Sequence, residues 1–183
     1  WDSPGTYRLY NVDFTREFRF CLETGRIPLP ERPLRTVSID APTEQLARNH
    51  LRTVTVDGVT VDGETAVLET ITERLNQIGP DVLSLQSSRL VPQLYELADQ
   101  CGNERFDLGR RSGYEQLAGE STYESYGRVG HSPIRHNVPG RVLIDRSNTF
   151  MWNETNLDGC LDLIERSGLP LQELAWASIG RIL

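Results

Sequence analysis

The chain is 183 residues long with a formal net charge of −7, and all 19 of its basic residues are arginine. That length suits one full domain and part of another, and no apolar run approaches the ~20 residues a membrane helix needs. The acidic balance excludes a protein that grips nucleic acid over its whole surface.

Trp1-Asp2-Ser3-Pro4-Gly5 carries none of the features of a signal peptide and reads as a boundary inside a longer protein. Period-two alternation from Tyr7 to Phe14, and again from Phe18 to Leu22, predicts two strands with a short connection through Phe14-Thr15-Arg16-Glu17. Pro28, Pro30 and Pro33 then form a stiff linker. Leu34 to Asp40 is an apolar strand, and Leu51 to Val56 is predicted to return through Val59-Thr60-Val61 about the Asp57-Gly58 turn. From Glu64 the period becomes helical: Val67, Leu68, Ile71, Leu75 and Ile78 share one face, and Gly79-Pro80 ends it.

Asp81 to Leu85 reads as a buried strand, and a helix begins at Ser88 and runs through Leu90, Leu94, Tyr95, Leu97 and Ala98. A polar stretch from about 102 to 140 has no clear period. Arg141 to Asp145 is the next strand, and two helices follow, Leu157 to Ser167 and, after Pro170, Leu171 to Leu183. The chain stops in that apolar helical pattern without a cap, so its end also reads as cut. Strands alternating with helices after a β-hairpin indicate an α/β layered domain. Cys21, Cys101 and Cys160 are odd in number and widely spaced, which argues against a disulfide framework or a zinc site and for a reducing, cytoplasmic compartment. Arginine without lysine in an acidic chain suits a high-salt cytoplasm, and it also follows from a GC-rich genome.

Four stretches carry a family resemblance: Leu34 to Asp40 with Ala41-Pro42; Pro80 to Gln86 with Leu90 to Tyr95; Gly140 to Asp145; and Asn156-Leu157-Asp158 to Glu165. In order and spacing they are similar to the N-terminal part of an archaeal, halophilic family B DNA polymerase. The resemblance implies an α/β, ribonuclease H-like exonuclease fold, with a mixed β-sheet flanked by helices and a short β segment before it. Residues 1–33 would be the tail of the polymerase N-terminal domain. Residues 34–183 would be the 3′–5′ exonuclease-like domain, with a long insertion at about 102–140. DNA, in replication or repair, and the remaining polymerase domains in cis are the implied partners.

The family's exonuclease chemistry is two-metal phosphodiester hydrolysis, in which about four carboxylates hold two divalent ions ~4 Å apart. Mg²⁺ or Mn²⁺ would be the cofactor of an active site of this kind. Carried over residue by residue, the resemblance leaves few of those carboxylates. The first motif keeps Asp40, but its partner position is Pro42; in the second motif the usual Asn falls near Gln86 and the usual Asp at Val91. In the third, Asp158 stands for the metal-binding Asp, and Glu154 occupies the place of a Tyr. The expectation is a catalytically degenerate domain that needs no cofactor and has a scaffolding or DNA-guiding role. The alternative is a working proofreading exonuclease in which Glu44 or Glu154 joins Asp40 and Asp158. Without such partners, Asp40 reads as a turn cap at a strand end and Asp158 as a first-turn carboxylate facing the helix dipole.

The 102–140 stretch is the other candidate for function. Arg105, Arg110, Arg111, Arg128 and Arg135 interleave with Tyr114, Tyr123 and Tyr126. Arginine for phosphates and tyrosine for base stacking is a workable single-strand-binding combination. Arg110, Arg111, Tyr123, Tyr126 and Arg128 are the candidate DNA-binding residues, and the competing expectation is a solvated loop whose aromatics pack on the domain. His50, His131 and His136 lack the spacing of metal ligands, and Trp152 and Trp176 are expected in the core or at a domain interface.

Overall fold

A computed structural model describes residues 15–125, 128–132, 134–149 and 152–176. In chain order its elements begin with α1 (Arg16–Thr24), β1 (Thr36–Asp40), α2 (Thr43–Arg48), β2 (Thr53–Val56) and β3 (Val59–Asp62). Next come α3 (Glu64–Ile78), β4 (Val82–Leu85), α4 (Leu90–Gln100) and four short strands, β5 (Glu115–Ala118), β6 (Ser121–Ser125), β7 (Arg128–Ser132) and β8 (Arg135–Asn137). Last are β9 (Val142–Asp145), α5 (Trp152–Ser167) and α6 (Leu171–Trp176).

The predicted hairpin forms where the sequence places it. Asp57 and Gly58 both adopt positive φ, 46° and 84°, so β2 and β3 pair antiparallel with Val56 opposite Val59. β1 pairs antiparallel with β2 on one side and parallel with β4 on the other, and β4 is parallel to β9. The main sheet therefore has the order β3-β2-β1-β4-β9. A hairpin, a central first strand and two parallel crossovers make up the ribonuclease H-like arrangement.

Side-chain alternation explains why both faces are covered. Along β4, Leu83 and Leu85 join a core with Val37, Leu68 and Ile71, whereas Val82 joins a second core with Ile144, Cys160, Ile164 and Leu174. α3 and α4 supply the first core and α5 and α6 the second, so every β4 residue is buried. Trp152 and Trp176 pack on the second core, as expected for partly buried indoles. Among the described residues no helix is long and apolar enough to cross a membrane.

Two expectations differ from the structure. Phe18 to Leu22, read as a strand, lies inside α1. Thr15 caps that helix by accepting from Phe18 N, and Gly25 ends it at φ 65°. Phe18 packs on the second core while Phe20 and Leu22 remain 53% exposed, so the alternation followed no buried sheet face. The other predicted strand, from Tyr7 to Phe14, lies outside the described residues. The aperiodic 102–140 stretch is not a plain loop. β5 pairs with β8 and β6 with β7, antiparallel and nested, so the four strands form a β-arm.

The opposite edge of the sheet, where β1, β4 and β9 begin, is held by one carboxylate. Asp81 accepts from Arg35 N (3.1 Å) and Arg35 Nε (3.2 Å), from Arg110 Nη2 (2.7 Å) and from Arg32 Nη2 (3.5 Å). Arg141 completes the knot through Pro80 O (3.1 Å) and Gly109 O (2.8 Å). Hydrogen bonds from the Arg35 side chain, more than the opposing effect of burial, hold the Asp81 carboxyl well below the usual carboxylate range, and Arg110 adds to them. Asp81 thus stays ionised in the folded chain at pH values where the unfolded chain takes up a proton near pH 4. Its contribution is complete above pH 4 and is lost as the pH falls below it. Asp81→Asn is expected to destabilise the chain by about 2–3 kcal/mol at pH 7 and to flatten the fall in melting temperature below pH 4, both measured by circular dichroism melts across pH.

Candidate functional site

Parallel strands deliver their C-terminal residues to one edge of the sheet, and β1, β4 and β9 end there in Asp40, Leu85 and Asp145. The chain continues from these ends through Ala41-Pro42, Gln86-Ser87 and Arg146-Ser147. Backbone bonds extend the ladder one step past the strands: Gln86 N donates to Ile39 O at 3.0 Å and Arg146 N to Leu85 O at 2.9 Å. Gln86 and Arg146 are therefore placed by the sheet itself. A cleft of about 440 Å³ opens over them, lined by Asp40, Gln86, Arg146 and Ser147 and closed by the first turn of α5 at Trp152, Asn153 and Asn156.

The two carboxylates at this edge have different surroundings. Asp145 is 6% exposed and accepts from Ser88 N (2.9 Å), Ser147 N (3.0 Å), Ser147 Oγ (2.6 Å) and Asn148 Nδ2 (2.8 Å). Its oxygens are occupied by donors from the turn it caps and from the turn that opens α4. Asp40 has a 39% exposed side chain and accepts from Nη2 of Arg146, whose side chain is 25% exposed. The same Nη2 reaches Ile39 O at 3.5 Å, and Arg146 Nε is buried without a hydrogen-bond partner. Gln86 Oε1 accepts from Ala41 N at 2.9 Å, fixing the turn in which Pro42 stands.

α5 closes the cleft through a broken helix. Asn156 interrupts it at φ 54° and ψ −149°, near a region that glycine alone enters freely. The regular helix resumes at Leu157, which is where the apolar period of the sequence begins. Asp158 lies just beyond the break, exposed, and does not line the cleft. Glu154 and Glu44 are exposed as well and are likewise absent from its walls. Val91, at the position expected for a second-motif carboxylate, is fully buried in the α4 face of the core.

Among the described residues Asp40 is thus the one carboxylate lining this cleft, and it is ion-paired. Among the described residues no three His, Cys, Asp or Glu side chains gather as metal ligands. A lone carboxylate with a guanidinium on it does not fit the donor set that a pair of hard divalent cations requires.

The candidate DNA-binding residues are spread over the molecule. Arg110 is bonded to Asp81 at the far edge of the sheet, and Arg111 is exposed beside it with its backbone N on Pro139 O. Tyr123 and Arg128 belong to β6 and β7 of the arm, and Tyr126 lies outside the described residues. Tyr114, interleaved with these arginines in the sequence, packs tilted against Tyr95 (ring centroids 4.9 Å) and edge-to-face with His136 (5.6 Å). Burial pulls His136 below the usual histidine range, so a neutral ring packs there. A second hollow of about 350 Å³ joins the cleft at Gln86 and Ser147 and runs between α2, Arg89 and the arm residue Glu120. Arg89 Nη2 and Glu120 Oε1 are 2.8 Å apart, tying the arm to the start of α4.

Arg146 was not among the residues singled out from the sequence. The available signal was an arginine directly after the apolar run Val142-Leu143-Ile144-Asp145, a position that a parallel strand projects onto its C-terminal edge.

No protein-family model and no curated protein sequence matches the chain. Among solved structures, the chain is similar to the family B DNA polymerase from the hyperthermophilic archaeon Pyrobaculum calidifontis over 99% of its length, at 17% identity and a TM-score of 0.57. The match covers 36% of that polymerase chain. At this identity the likeness is one of fold.

The two carboxylates should respond differently to removal. Asp145→Ala leaves the buried Ser88 N without its acceptor and removes the Ser147 and Asn148 bonds of the turn, and is expected to cost about 2–3 kcal/mol. Asp40→Ala removes a half-exposed ion pair and is expected to cost under about 1 kcal/mol. Urea unfolding midpoints of the two variants measure this difference.

Proposed function

We propose that the chain is the exonuclease-like module of a family B DNA polymerase, without hydrolytic activity, acting in DNA replication or repair as a scaffold and guide for DNA. In this reading residues 34–183 are the exonuclease-like domain and 1–33 the tail of the domain before it. DNA synthesis belongs to other parts of a longer, cytoplasmic protein, and a halophilic source accounts for the lysine-free, acidic composition. The fold and its likeness to a polymerase over nearly the whole chain support this reading. The observation that supports the loss of hydrolysis is the guanidinium of Arg146 on Asp40, in a cleft that no second carboxylate lines among the described residues. Neither Mg²⁺ nor Mn²⁺ has a role in it.

The test is digestion of 5′-labelled single-stranded DNA with Mg²⁺ and with Mn²⁺, at low and at molar salt, on protein shown to be folded. No shortening is the expected outcome. Shortening from the 3′ end that chelator abolishes and Asp40→Ala removes would establish the alternative, an active proofreading exonuclease using Glu44 or Glu154.

A further inference from the structure

Resting on that reading, we propose that Arg146 is a built-in cation that takes the place of a divalent ion beside Asp40. The cleft it serves would then bind a phosphodiester of single-stranded DNA without metal. A cation beside Asp40 neutralises the strand-end carboxylate and offers positive charge to an incoming oxyanion. A bound metal does both, and a guanidinium held by the sheet ladder can do both as well. The ladder bond from Arg146 N to Leu85 O sets its backbone at the mouth of the cleft, and Nη2 rests on Asp40 and Ile39 O.

The rest of the lining suits an anion with a flat ring attached. Apart from Asp40 the cleft walls are a guanidinium, three carboxamides, a hydroxyl and an indole, from Arg146, Gln86, Asn153, Asn156, Ser147 and Trp152. These groups are rich in donors, and Asp40 is the one anion among them. Asn156 is held in the wall by a backbone conformation that costs free energy. Trp152, partly buried against the second core, also lines the cleft and brings an indole within reach of an attached base.

The resting guanidinium also leaves a donor unused. Arg146 Nε is buried without a partner, an arrangement that costs free energy while it lasts. Rotation onto a phosphate would engage Nε and Nη2 together in a two-pronged bond. Asp40 is then an internal competitor that holds the guanidinium until a phosphate displaces it. A metal-binding carboxylate would help nucleic acid bind when metal is present, whereas a competing carboxylate hinders it always.

That difference makes the proposal testable with this chain and a short labelled oligothymidylate, by fluorescence anisotropy. The expected result is a Kd that agrees within about twofold in chelator and in Mg²⁺. Arg146→Ala is expected to weaken binding about tenfold and to lower the salt slope by about one unit. Asp40→Asn is expected to tighten binding several-fold, because the competitor is neutralised while its shape is kept. If Arg146→Ala fails to fold, the Asp40→Asn measurement decides alone, and unchanged or weaker binding there overturns the proposal. Unchanged affinity in a folded Arg146→Ala overturns it while leaving a DNA-guiding domain standing. Binding that requires Mg²⁺, or displacement of the oligonucleotide by equimolar inorganic phosphate, also overturns it. No binding by the unaltered chain would remove both this proposal and the DNA-guiding role.

Discussion

Three parallel strands can share an edge only if the segments that lead into them are brought together there, and Asp81 performs that gathering. It takes donors from Arg35, 46 residues earlier, and from Arg110, 29 residues later. Arg35 lies directly before β1, Asp81 directly before β4, and Arg141, bonded to the neighbouring Pro80 O, directly before β9. A carboxylate with several guanidiniums around it is held by charge-assisted bonds, which are stronger and more directional than neutral ones. With the start of each strand fixed, strand length alone sets where each one ends. The alignment of Asp40, Gln86 and Arg146 at the opposite edge follows from it.

At that far edge, charge is distributed in two ways. Asp145 is used up by the turn it caps, and Asp40 is answered by a side chain from the next residue in sequence after Asp145. The cleft is therefore almost electrically neutral, although the chain carries a net charge of −7. Local balance at a strand edge and global imbalance over a surface are independent properties. Net charge sets solubility and long-range attraction, while a site is decided by the few groups that line it.

Much of the main sheet was legible in the residues. Asp57-Gly58 dictates its hairpin because few other pairs accept positive φ twice, and α3 shows itself by five apolar positions on one face. β4, buried on both faces, reads as an apolar run with a single serine. The arm was not legible, because Glu115-Gln116-Leu117-Ala118 is largely exposed and has no buried face to impose a period of two. α1 was misread because Phe18, Phe20 and Leu22 alternate by chance, while its true signals, Thr15 and Gly25, lie at its ends. Of the site, Asp40 could be found from its place at a strand end. Its partner could not, since the ion pair joins residues 106 apart and depends on a parallel pairing that no local pattern encodes.

The separation between Asp40 and Arg146 also bears on how the chain acquires its shape. β1, β2, β3 and α3 lie close together in sequence and can assemble early. β9 must wait until α4 and the whole arm have been accommodated before it can zip onto β4. Loop closure over such distances is paid in chain entropy before any contact rewards it, which slows parallel sheets relative to hairpins. Until β9 docks, β4 presents an open, apolar flank and Val82 lacks its partners in the second core. The cleft is therefore among the last features to exist during folding, and the half-built sheet is the species most exposed to pairing with a wrong strand.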